Sequence, residues 1–105
     1  MIHVRVVKPS RVREYVKQHP DASAPLMAWL KAARDANWKN LQQVRMTYNS
    51  ADGVGVRGGK TVTVFNIGGN KYRLVVSIHY AWGMPYVLRF MTHAEYSKEK
   101  WQAEL

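Results

Sequence analysis

The sequence predicts a small α+β domain, a twisted antiparallel sheet with two N-terminal helices packed on one face and a short C-terminal helix. Three observations lead there. Apolar residues recur at helical spacing from Val12 to Ala33, whereas β-branched and aromatic runs fill Thr61 to Met91 between glycine-rich turns. A length of 105 residues, 47% of them hydrophobic, suits a single domain over 1–105 with a core of its own.

Taken in order, Ile2 to Val7 alternates apolar and polar like a half-buried strand, and Lys8, Pro9 and Ser10 break it. Ser10 caps a first helix whose positions Val12, Tyr15, Val16 and His19 share one face and which Pro20 ends. Ser23, with Pro25 in the first turn, opens a second helix that puts Leu26, Trp29, Leu30 and Ala33 on one side. From Asn37 to Lys60 the pattern is irregular: a short helix is expected over Trp38 to Leu41, and turns over Asn49 to Gly53 and at Gly58 and Gly59. Thr61 to Ile67, Lys71 to Tyr80 and Met84 to Met91 then form an antiparallel meander, turning at Gly68, Gly69 and Asn70 and again at Ala81, Trp82 and Gly83. Thr92 and Glu95 stand at capping-box spacing, so the final helix begins at His93.

Sixteen Lys and Arg against seven Asp and Glu leave a formal charge of +9 and a pI near 10.1, a field that attracts polyanions. Nucleic acid or an acidic protein is the partner class this favours. No Asp or Glu occurs between Gly53 and Ala94, while Arg57, Lys60, Lys71, Arg73 and Arg89 all lie there. In the strand from Lys71, Tyr72, Leu74, Val76, Ile78 and Tyr80 form an apolar face, and Lys71, Arg73, Ser77 and His79 a basic one. Tyr86, Leu88 and Phe90 supply the apolar face of the next strand; Val87, Arg89 and Met91 supply the other. With the turn centred on Trp82, Arg73 stands opposite Met91, with Arg89 and His93 at diagonal positions roughly 7 Å away. Guanidiniums and an imidazole thus meet near a helix start whose N–H groups favour an anion such as phosphate. Two plainer readings stand beside this: Arg73 paired with Glu95, and His93 an ordinary first-turn residue.

The chemistry left open is narrow. The absence of cysteine removes disulfides, thiolate nucleophiles and cysteine zinc sites together. His3, His19, His79 and His93 lack metal-ligand spacing and the carboxylates are scattered, so a metal site is not expected. No P-loop, Gly-x-Ser-x-Gly or kinase signature occurs. No apolar run approaches about 18 residues, and the charged start lacks a signal peptide's apolar stretch, so the expectation is a cytoplasmic protein without a membrane partner. Cleavage of RNA by its own 2′-hydroxyl remains open, because the substrate brings the nucleophile and the protein need add only a proton acceptor, a proton donor and cations. His93, Tyr96, Arg73 and Lys60 can furnish that set, with His93 and Tyr96 on one face of the final helix.

Two stretches, Val64 to Leu74 with its Asn70-Lys71-Tyr72-Arg73-Leu74, and Val87 to Tyr96 with its Thr92-His93-Ala94-Glu95-Tyr96, resemble the HigB toxin family, bacterial type II toxins of the RelE-like group. The resemblance runs from Thr61 to Lys98 and, more weakly, through Trp38 and Ser50 to Asp52 in the helical half. It implies an mRNA interferase that cuts messenger RNA, generally in the ribosome, without metal or cofactor. It also implies a HigA-type antitoxin, through which alone the toxin would meet DNA. Carried across, Arg73, His93 and Tyr96 are the catalytic candidates, with Lys60 a further one; Lys71, Arg89, Arg57 and Asn70 are the RNA-binding ones. The planar fork of Arg73 suits a phosphate. His93 can be base, acid or phosphate ligand.

Rival readings are a non-catalytic RNA-binding module and a RelE- or ParE-like toxin acting on a protein target. An RNA binder would display aromatic rings on the basic face for base stacking, whereas Tyr72, Tyr80, Tyr86 and Phe90 fall mainly on the core side, which favours catalysis.

Overall fold

The computed structural model describes residues 9–56 and 58–105; the strand expected over Ile2 to Val7, and Arg57, lie outside the described residues. Helix α1 spans Pro9–Gln18, starting one residue before the expected cap Ser10, since proline's fixed φ and missing N–H suit a first helical position. A 3₁₀ turn at Pro20–Ala22 carries Asp21 and leads into α2, Ser23–Ala36, where Leu26, Trp29, Leu30 and Ala33 are buried as the spacing predicts. The short helix expected over Trp38 to Leu41 lies later: α3 spans Leu41–Thr47, because the Asn40 side chain caps it, accepting from the Gln43 N–H at 2.9 Å. Trp38 instead fills the core, 2% exposed and stacked on Phe65 with centroids 5.7 Å apart.

Strands β1 (Asp52–Gly55), β2 (Thr61–Ile67), β3 (Tyr72–His79) and β4 (Met84–Thr92) form one antiparallel sheet in the order β1-β2-β3-β4. The turn expected over Asn49 to Gly53 is confined to Asn49 and Ser50, since Asp52 and Gly53 pair with Val64 and Thr63. Pairing with β2 answers their backbone hydrogen-bonding groups, which outweighs the weak strand propensity of Asp and Gly. Gly58 and Gly59 do turn the chain, with φ of 92° and 81°.

Helices α1 to α3 cover one face of the sheet, burying Leu26, Trp29, Val44, Phe65, Leu74 and Val87. The opposite face is not the open basic surface that strand alternation predicts. Val62, Val64, Val75 and Met91 form a second apolar layer there, sealed by Trp101 of α5 (Lys100–Glu104), which follows α4 (His93–Ser97). Tyr72 to Val76 of β3 are therefore buried on both faces.

A β-bulge explains the faces of β4. Val75 pairs with Arg89 and Val76 with Val87, so Leu88 is an extra residue and the alternation changes phase there. Val87, expected on the second face, sits in the helix-side core; Leu88, expected on the core face, packs on the second layer; Tyr86, also expected inside, is 41% exposed. Arg11 of α1 reaches the bulge, donating to the carbonyls of Val87 at 3.3 Å and Leu88 at 3.0 Å. Among the described residues no helix is long and apolar enough to cross a membrane.

Candidate functional site

The register of β3 and β4 sets Arg73 opposite Met91, as a turn centred on Trp82 predicts. Helix α4 follows at once because of its capping box: Thr92 Oγ1 accepts from the Glu95 N–H at 3.2 Å, and the Glu95 carboxylate accepts from the Thr92 N–H at 3.1 Å. His93 therefore lands beside Arg73, with Nη2 3.1 Å from His93 Nδ1. The same Nη2 donates to Asn70 Oδ1 at 2.6 Å, while Nη1 donates to the carbonyls of Tyr72 at 3.1 Å and Asn70 at 3.4 Å. Arg73 Cζ lies 5.5 Å from the centroid of the Tyr96 ring. That ring stacks on Trp101 at 5.3 Å, and Trp101 Nε1 donates to the Tyr96 carbonyl at 3.1 Å. Four of the expected residues, Arg73, His93, Tyr96 and Asn70, thus come together.

Their chemistry differs from the expected one. A guanidinium carries five N–H donors; here four are engaged, and Arg73 is only 8% exposed. Arg73 is not a free fork on an open face but a buried charge held behind His93. Because a guanidinium only donates, Nδ1 is the acceptor in that contact, which assigns the proton of the neutral ring to Nε2. His93 itself is exposed, so it can offer that N–H to a ligand. The plainer pairing of Arg73 with Glu95 is replaced by these contacts, Glu95 serving the cap. Nor are the expected N–H groups at the helix start all free: His93 N–H donates to the Lys71 carbonyl at 2.9 Å and Glu95 N–H to Thr92. Burial, foremost, and the carboxylates of Asp52 and Glu99 push the Tyr96 hydroxyl above the usual phenol range, Arg73 opposing, so it keeps its proton at neutral pH.

The remaining candidates lie elsewhere. Lys71 Nζ pairs with Asp21 at 3.2 Å, and the same carboxylate accepts from the Tyr72 hydroxyl at 2.8 Å. Arg89 donates to the Leu88 carbonyl at 2.9 Å and borders a groove beside α4 and α5. Lys60 precedes β2 at the end far from Asn66, the strand partner of Arg73, on the order of 20 Å along the strand at usual spacing. The structure does not bring it to the cluster, because β2 runs antiparallel to β3. Asn70 faces Arg73 as an anchor. Sequence reasoning missed Trp101, whose signal was only an aromatic in a short terminal helix, and Arg11, which carried none. Among the described residues no three metal-ligating side chains converge.

Residues 22–99 match the family model of the HigB toxin, described as the RelE-like toxic component of a toxin–antitoxin system. No curated protein matches the chain.

Proposed function

The chain belongs to the HigB toxin family, the RelE-like toxic component of a toxin–antitoxin system, and from that premise we propose that it is an endoribonuclease cutting messenger RNA in the ribosome. Membership implies an antitoxin partner, which we take to be of the HigA type. Its substrate puts its work in the cytoplasm.

The observation that carries the reading is the Arg73–His93 contact. An imidazole with its Nδ1 tied to a buried guanidinium presents a polarised Nε2–H, a neutral donor for a non-bridging phosphate oxygen. As the substrate's O2′ attacks phosphorus, the O2′–P bond forms and the P–O5′ bond breaks, and charge gathers on that oxygen. Arg73 stabilises it from behind through His93. The protonated Tyr96 hydroxyl is the donor available to the leaving O5′. Neither ring accepts the 2′-hydroxyl proton in this arrangement, since Nδ1 is engaged and Tyr96 holds its own proton. The acceptor comes from water or, in this reading, from the ribosome. The nucleophile belongs to the RNA, so this route calls on no metal.

One observation favours the non-catalytic RNA binder: Trp82, 71% exposed, and Tyr86 are available for stacking after all. A single experiment separates the two. RNA 5′ ends are mapped after expression of the wild type and of His93→Ala, and the message is then tested with 2′-O-methyl at the cut nucleotide. Cuts leaving a 5′-hydroxyl and a 2′,3′-cyclic phosphate, lost in the variant and in the methylated RNA, are expected. Cutting of the methylated RNA, a 5′-phosphate product that needs Mg²⁺, or no cuts at all defeats the reading.

A further inference from the structure

A groove of about 390 Å³ runs beside β4, lined by Met91 and Trp101, both buried, and by Arg89, Lys98 and Lys100. It abuts the Arg73 cluster through Met91, the strand partner of Arg73, and through Glu95, two residues beyond His93. Its charge is one-sided. The only acid among its described lining residues, Glu95, is held by Thr92 Oγ1 and the Thr92 N–H, both at 3.1 Å. The two lysines share the groove because of Glu99 between them, whose φ of 62° turns the chain in the left-handed sense. That turn is held by the Glu99 N–H on the Tyr96 carbonyl at 3.1 Å and by Trp101 stacked on the Tyr96 ring, and the two like charges it leaves on one wall are complementary to a polyanion.

Resting on the ribonuclease reading, we infer that this groove is the track for the RNA backbone on one side of the cut, Lys98 and Lys100 contacting phosphates next to the one held at His93. Trp101 and Met91 are 4% and 6% exposed, so the floor offers no open ring for stacking and the contacts are blind to sequence. The groove thus contributes affinity and alignment and leaves base preference to other surfaces.

The test uses an uncleavable 2′-O-methyl oligonucleotide of about a dozen residues, bound by the wild type and by Lys98→Ala/Lys100→Ala at several salt concentrations. Each lost phosphate contact lowers the slope of log affinity against log salt by about 0.7 for a single strand. The double variant is expected to lose about 1.4 of slope, so that a fourfold rise in salt weakens it about sevenfold less than the wild type. Its cut positions in a translating extract stay unchanged, and Lys→Arg at both sites restores the slope. An unchanged slope overturns the track. So does an unchanged slope together with weakened binding of the antitoxin, which makes the groove the seat of an acidic segment of that partner. A wild type that cuts message in the extract but does not bind the oligonucleotide also overturns the track while sparing the ribonuclease reading; one that neither binds nor cuts removes both.

Discussion

Replacing Arg73 by alanine is expected to cost the fold about 3 kcal/mol, while replacing His93 costs under about 1 kcal/mol, although both abolish toxicity. Charged hydrogen bonds contribute ~1.5–3 kcal/mol each when a buried partner is left behind, but not all of the partners of Arg73 are buried. Asn70 and His93 are exposed and regain water; Tyr72 is buried, so its carbonyl is the one left poorly solvated. To this add a cation–π contact of ~0.5–1 kcal/mol with Tyr96 and the packing of the side-chain stem. The sum of about 3 kcal/mol is a large share of the ~5–15 kcal/mol typical of a domain. At a urea dependence of ~1–1.5 kcal/mol per M it moves the midpoint down by about 2–3 M. Trp29, Trp38 and Trp101 are all buried, so tryptophan fluorescence reports the transition. A double-mutant cycle with His93→Ala then isolates the pair's coupling. If Arg73→Ala unfolds within about 0.5 M of the wild type, Arg73 is a surface phosphate ligand after all and the arrangement of a buried charge behind His93 is wrong.

Two further outcomes follow from the contacts around the site. The Tyr72 hydroxyl, foremost, and Lys71 hold the Asp21 carboxyl below its ordinary range, against a smaller desolvation effect. A depressed folded value means stability present above the unfolded pKa and lost as pH falls through the folded one. Acid titration of stability should therefore show a fall below the ordinary carboxylate range that Asp21→Asn flattens, and an identical profile in that variant refutes the assignment. Thr92→Ala removes the cap of α4 and should cost about 1 kcal/mol in urea unfolding, with a loss of cutting that exceeds the loss of folded protein. Unchanged cutting would mean that α4 needs no cap to hold His93.

Much of this geometry was legible because it is local. The face of α2, the register of Arg73 with Met91 and the capping box each follow from spacing within one element or across one turn. What was misread depends on distant partners. The second apolar layer needs Trp101 to cover Val62, Val64 and Val75, although the unbroken apolar run Leu74, Val75, Val76 is itself a mark of two-sided burial. The extra residue at Leu88 has no signature in composition, yet it reverses the faces of Tyr86 and Val87. That reversal leaves Tyr86 exposed and weakens the argument from stacking against a simple RNA binder. Arg73 looked available because a basic residue on an outward position ordinarily is; only the turn at Asn70 and the cap at Thr92 show its donors engaged.

Burial of β3 on both faces divides the cluster by mobility. Arg73 stands on a strand that two apolar layers enclose, and such segments open only when the whole fold does. His93 and Tyr96 ride on a five-residue helix with no buried residue of its own, tied to the fold by its capping box and by the Tyr96 ring on Trp101. The charge is therefore a fixed feature of the molecule, and the imidazole in front of it is the less deeply anchored of the two. An antitoxin need not cover the buried charge to silence the toxin; moving a single short helix off the strand would suffice.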